Sequence, residues 1–232
     1  MNIKDIILFR LENATDTEKK AICKHLGLEY TKNIEKIDKE YRSAAGHSIV
    51  NVFRKQKLPY KQILIDVADK LHSGLGWTHF KLDDNYTELD IEKKILDDAE
   101  RKANKFKEKW MSLSEEKRQE NEKKLREKLA EEGYDKQTIK SLASFVTLGG
   151  AGITGATPVA LSIFYSSFFG STMAGIFGVS LSSLITGGII SASVVSAPLA
   201  IAYMSIPAYR KTIPVTLVLI QIGKRIEIEE NL

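Results

Sequence analysis

Gly170-Ser171-Thr172-Met173-Ala174-Gly175-Ile176-Phe177-Gly178 and Gly187-Gly188-Ile189-Ile190-Ser191-Ala192 lie within 69 consecutive positions, 141–209, that hold no Asp, Glu, Lys, Arg or His. Small residues recur at every fourth place through Ser162, Ser166, Gly170, Ala174, Gly178 and Ser182. They recur again through Gly188, Ala192, Ser196 and Ala200. On a helix a four-residue step traces one narrow ridge, and a ridge without bulk lets a second backbone approach closely. Gly187-Gly188 separates the two ridges and is a natural place to reverse direction. The pattern predicts a tightly packed helical hairpin.

The rest of the chain belongs to a different physical class. Charged residues make up 28% of the 232 positions and hydrophobic ones 43%, so the total is ordinary for a folded protein. Almost all of that charge lies before Ser141. Net charge is only +4, with acids and bases interleaved, which argues against a nucleic-acid footprint. One cysteine, Cys23, excludes an internal disulfide. Met1-Asn2-Ile3-Lys4-Asp5 opens too short an apolar run for a secretory signal, so the expected location is cytoplasmic.

Amphipathic helices are predicted throughout the charged half. Thr15-Asp16-Thr17-Glu18 matches a capping box ahead of Ala21, Ile22 and Leu26, with Gly27 as the stop. Ile3, Ile6, Ile7 and Phe9 suggest a helix before it; Tyr30, Ile34, Ile37 and Tyr41 suggest one after it. Tyr60, Ile63, Leu64, Val67 and Leu71 form an apolar stripe behind Pro59. Thr87 to Asp90 caps a helix bearing Ile91, Ile95, Ala99, Ala103, Phe106 and Trp110. From Ser114 to about Glu132 the sequence reads as a solvated helix whose only sizeable aliphatics are Leu125 and Leu129. Gly133 ends it, and Asp135 caps a helix carrying Ile139, Leu142 and Val146. Val215 to Ile222 fits strand or helix equally.

The uncharged stretch has two readings. About 20 apolar residues cross a bilayer, so the length suffices for two or three passes. Lys140 at one end, with Arg210 and Lys211 at the other, favours an even number of passes with both flanks on the cytoplasmic side. Phe164, Tyr165, Phe168, Phe169, Tyr203 and Tyr209 would supply an interfacial belt at the hairpin's open end. Abundant Ser and Thr equally suit a hairpin buried as the core of a soluble all-α protein. A third reading combines both, sheltering the hairpin in solution and releasing it at a membrane.

Chemistry is harder to find. Cys23 and His25 stand two apart, which on a helix points them away from each other. His25, His47, His72 and His79 are scattered without metal-ligand spacing. Asp83, Asp84, Asn85, Glu88 and Asp90 lack the glycine and spacing of a calcium loop. Gly149-Gly150-Ala151-Gly152 has no following Lys-Ser/Thr for phosphate. Asp66, between Ile65 and Val67, needs a partner if buried, and Arg54 is the candidate for that pair. No cofactor, metal site or catalytic constellation is predicted, and the chain reads as non-enzymatic.

Two blocks carry a family resemblance. Gly46 to Arg54, with Asn51 three places before the arginine, leads to Leu58-Pro59-Tyr60-Lys61-Gln62-Ile63-Leu64 and Asp66-Val67. Pro207-Ala208-Tyr209-Arg210-Lys211-Thr212-Ile213-Pro214-Val215 is the second block. In order and spacing these resemble the YaaW-like bacterial proteins, some members of which bear a ubiquinol-cytochrome c chaperone-like label. The resemblance implies a bacterial origin and offers no catalytic residues to carry over.

The expectation is therefore an all-α protein. A charged amphipathic domain covers 1–140, an uncharged hairpin 141–209, and a tail segment 210–232. The expected partner is membrane lipid at the inner face of the cytoplasmic membrane; the alternative is a soluble adaptor or chaperone-like protein that binds a protein partner through its N-terminal helices.

Overall fold

A computed structural model describes residues 5–46, 58–73, 86–131, 133–147 and 197–230. Every regular element among them is an α-helix, as the periodicity predicts. The helices are α1 (Ile6–Asn13), α2 (Asp16–Leu26), α3 (Ile34–Gly46), α4 (Tyr60–Ser73), α5 (Glu88–Met111), α6 (Glu115–Glu131), α7 (Lys136–Thr147) and α8 (Ala197–Glu230).

Local signals set most of the helix starts and stops. The Asp5 carboxylate accepts the Ile7 N–H at 3.1 Å to open α1. Thr15 Oγ1 accepts the Glu18 N–H at 3.2 Å, and the Glu18 carboxylate accepts the Thr15 N–H at 2.7 Å, closing the expected box on α2. Thr87 and Asp90 repeat that reciprocal pattern at α5. Asp135 accepts the Thr138 N–H at 2.9 Å at the start of α7. Gly27 (φ 76) and Gly133 (φ 78) end α2 and α6 in the left-handed region that only glycine adopts without cost.

Packing follows the amphipathic faces, with α8 at the centre. Each residue from Thr212 to Ile220 is buried, as is Ile222. This part of α8 packs against α1, α2, α3 and α4 at once. A helix that is apolar on every side has no solvent face to offer, so it occupies the middle of a bundle. Around it lie Ile7 and Leu11 of α1, Ile22 and Leu26 of α2, Ile37 and Tyr41 of α3, and Ile63, Leu64 and Val67 of α4. Helix α5 packs on α4, and α6 pairs with α7. Trp110, Leu125, Leu129, Ile139, Leu142, Phe145 and Val146 join the same continuous core. The rest of α6 is a solvated face with i,i+4 ion pairs such as Glu122–Arg126 at 2.6 Å.

Two sequence readings bear on α8. The boundary drawn between 209 and 210 falls inside α8, and Thr212 to Ile220 of the expected tail segment are buried in the charged bundle. Val215 to Ile222, read as strand or helix, is helix. Its β-branched residues favour strands when exposed, but here four helices supply the apolar surround and α8 also runs through Pro207 and Pro214. The predicted hairpin lies mostly outside the described residues. Of its ridge, Gly170, Ala174, Gly178, Ser182, Gly188, Ala192 and Ser196 are all outside them, and only Ala200 falls within α8.

Two isoleucines on α8 test this placement. Ile220 is fully buried and Ile228 is 62% exposed. Ile220→Ala is expected to cost about 2–5 kcal/mol in urea unfolding, and Ile228→Ala less than about 0.5 kcal/mol. Equal, small effects would place the buried turn of α8 outside the core.

Candidate functional site

Ionic groups inside an apolar bundle need partners, and two networks stand out among the described residues. In the first, Arg10 of α1 makes a forked pair with Glu92 of α5, at 2.6 and 3.1 Å. The Tyr60 hydroxyl of α4 lies 2.8 Å from the same arginine and donates to Glu92 Oε1 at 2.9 Å. Beside them the Tyr41 hydroxyl of α3 meets Thr216 Oγ1 of α8 at 2.7 Å. Thr216 spends its own proton on the Thr212 carbonyl at 2.8 Å, so Tyr41 is the donor in that pair. Gly223 of α8 completes the enclosure. A Cβ there would stand 2.5–2.6 Å from the Arg10 guanidinium.

The second set is built on Arg42 of α3. Its Nε donates to Asp38 at 2.6 Å, one turn back on the same helix. Its Nη2 forks onto both Asp5 oxygens at 2.7 and 2.6 Å, and its Nη1 reaches the Leu58 carbonyl. One guanidinium thereby ties the start of α1 and the approach to α4 onto α3.

Polar contacts also clasp α8 at both ends of its buried segment. Lys211 Nζ donates to the Leu26 carbonyl at 2.8 Å, at the C-terminus of α2. Arg225 donates to the Asn13 carbonyl and to Glu18, both at 3.0 Å. These contacts fix where along its axis α8 sits, which a uniformly apolar surface would leave open.

The electrostatics keep these groups as donors. Burial works against the Arg10 charge, but neighbouring Tyr60 and Glu92 outweigh it and raise its pKa. Burial pushes both the Tyr60 and the Tyr41 hydroxyl up, and Glu92 adds to the effect at Tyr60. Both stay protonated donors across the physiological range. Glu92 accepts three hydrogen bonds within this set, two from Arg10 and one from Tyr60. The arrangement is a satisfied internal clasp whose donors and acceptors are turned on one another.

The residues singled out in the sequence distribute unevenly. Tyr60 is in the network. Asp66 is half-buried and accepts from Gln62 Nε2 at 2.9 Å. Arg54, its expected partner, lies outside the described residues, as does Asn51. Tyr209 is partly buried against the core, near Asp66 and Asp69. Helices α4 and α8 pack together, which brings the segment behind Pro59 beside the helix that carries Tyr209. Pro214 is buried, and Arg210 lies within α8. Cys23 is a core cysteine with Sγ 3.9 Å from the Thr31 carbonyl. His25 is half-buried, and burial followed by Lys24 holds its pKa to about 4, so it is neutral at pH 7.

Sequence reasoning passed over Arg10, Glu92, Asp38 and Arg42. Each had a faint signal. Arg10 lies three places after Ile7 on the buried face of α1, and Glu92 directly follows Ile91. Asp38 and Arg42 stand at ion-pair spacing beside Tyr41. Among the described residues no group of His, Cys, Asp and Glu is arranged to hold a metal ion. An open groove on α5, lined by Asp97, Glu100, Arg101, Asn104 and Glu108, carries charges of both signs. No protein-family model matches the chain, and no curated protein or solved structure matches it.

The Arg10 clasp makes a specific double-mutant prediction. Gly223→Ala is expected to cost about 1–3 kcal/mol by displacing the guanidinium. In an Arg10→Ala background the same change becomes neutral, or stabilising by up to about 1 kcal/mol, since alanine is the better helix former. Additive effects in chemical denaturation would show that the two positions do not touch.

Proposed function

We propose that the chain is a non-enzymatic, membrane-associating helical protein. In this reading the part of the uncharged stretch 141–209 that follows α7 inserts into or lies on the inner face of the cytoplasmic membrane and perturbs it. The charged helices form the water-facing body that holds the stretch. The YaaW-like resemblance is proposed alongside it and adds no reaction.

One observation supports this reading above the others. The apolar faces of α1 to α4 are covered by residues 211–226 of α8, which follow the uncharged stretch. Those four faces are what a buried hairpin would have used as its wrapping, and α8 already occupies them. The non-enzymatic part is supported by the internal pairing of the Arg10, Glu92, Tyr60 and Arg42 groups. Among the described residues no helix is long and apolar enough to cross a membrane, so lipid contact is assigned to the remainder of the stretch on its sequence.

Flotation of the full chain on vesicles of phosphatidylethanolamine and phosphatidylglycerol tests the proposal. The native protein is expected to float with the lipid. A variant carrying Ile176→Lys and Ile190→Lys is expected to stay below, because each lysine costs about 2.5–3.5 kcal/mol at the centre of an inserted helix. Native protein that stays in the aqueous fraction as a monomer would contradict lipid contact and favour the soluble adaptor.

A further inference from the structure

We infer that both ends of the uncharged stretch are fastened to one folded body, so a bilayer receiving the stretch has the helices before it and the helix after it on the same side. The inference rests on the membrane reading above and specifies its geometry. It is carried by contacts among the described helices.

The outgoing end is held through α7. Phe145 and Val146, in its last turn, are buried in the common core. The α6–α7 junction is tied to α2, where Lys24 Nζ lies 3.1 Å from the centre of the Tyr134 ring. The returning end is held more firmly. From Lys211 to Arg225, α8 is hydrogen-bonded to the Leu26 carbonyl, the Tyr41 hydroxyl, the Asn13 carbonyl and the Glu18 carboxylate, and Gly223 leaves the space that the Arg10 guanidinium occupies. Eight apolar side chains between and beside those contacts are buried: Ile213, Val215, Leu217, Val218, Leu219, Ile220, Ile222 and Ile226.

A single crossing, or any odd number, would put about 30 Å of hydrocarbon between α1–α3 and the end of α8. Every one of those contacts would then be broken, and the apolar faces of α1 to α4 would be stripped. Zero or two crossings, or a re-entrant loop, leave the bundle intact. Lys140 and Lys211, which flank the stretch, then share the same aqueous face.

The native cysteine makes this testable. Cys23 is buried, 1% exposed, and gives a low labelling background in the folded protein. Exposed positions on three helices receive one cysteine each: Thr17→Cys on α2, Gln119→Cys on α6 and Glu229→Cys on α8. Full-length variants are added to preformed vesicles of phosphatidylethanolamine and phosphatidylglycerol, floated, and treated with a membrane-impermeant maleimide before and after detergent. The inference expects all three to label without detergent, to within about 1.5-fold of their detergent-treated yield, while native protein stays near zero. Glu229→Cys labelling only after detergent while Thr17→Cys labels before it would overturn the same-side arrangement and leave membrane binding standing. Protein that never floats would overturn both.

Discussion

The structure depends on a helix with no solvent face. Between Thr212 and Ile222 nearly every side chain of α8 is buried, and each buried aliphatic of that size contributes about 1.5–3 kcal/mol relative to exposure. Without α8 the inward faces of α1, α2, α3 and α4 would meet water. The domain therefore closes through residues more than 160 positions distant from those of α3. Charged N-terminal helices and the C-terminal helix form one unit, and the uncharged stretch is carried between its two attachments.

Apolar burial alone would leave that unit poorly specified. A smooth helix can slide by a turn within an apolar channel at little cost in contact area. Polar pins prevent it, Lys211 on the Leu26 carbonyl, Thr216 on Tyr41 and Arg225 on Glu18, together with the close fit of Gly223 under Arg10. Buried ion pairs are weak evidence of net stability, since desolvation offsets much of the attraction. Arg10 with Glu92, and Arg42 with Asp5 and Asp38, are better understood as fixing which helices pair and in what register. Their hydrogen bonds are directed at one another, and burial raises the pKa of both tyrosine hydroxyls, which stay donors.

Much of this was legible in the chain itself, at the level of single elements. The Thr15 capping box, the Gly27 and Gly133 stops, the Tyr60 to Leu71 stripe and the solvated α6 all follow from local spacing and appear as read. The partner of the whole charged half was not legible. Val215 to Ile222 carries no helical period because it is buried on all sides, so nothing in the pattern distinguishes a central helix from a strand. Arg10 and Glu92 are 82 positions apart, and no local rule brings them together. Asp38 and Arg42, one turn apart, were within reach of the i,i+4 rule but pass for a surface pair until burial is known.

Native-state hydrogen exchange of the backbone amides reads the central claim most directly. If α8 is the core of the bundle, its amides from Val215 to Ile222 exchange only through global unfolding and are the slowest in the described helices, far slower than those of α6. Exchange of the Val215 to Ile222 amides at rates like those of α6 would contradict the account.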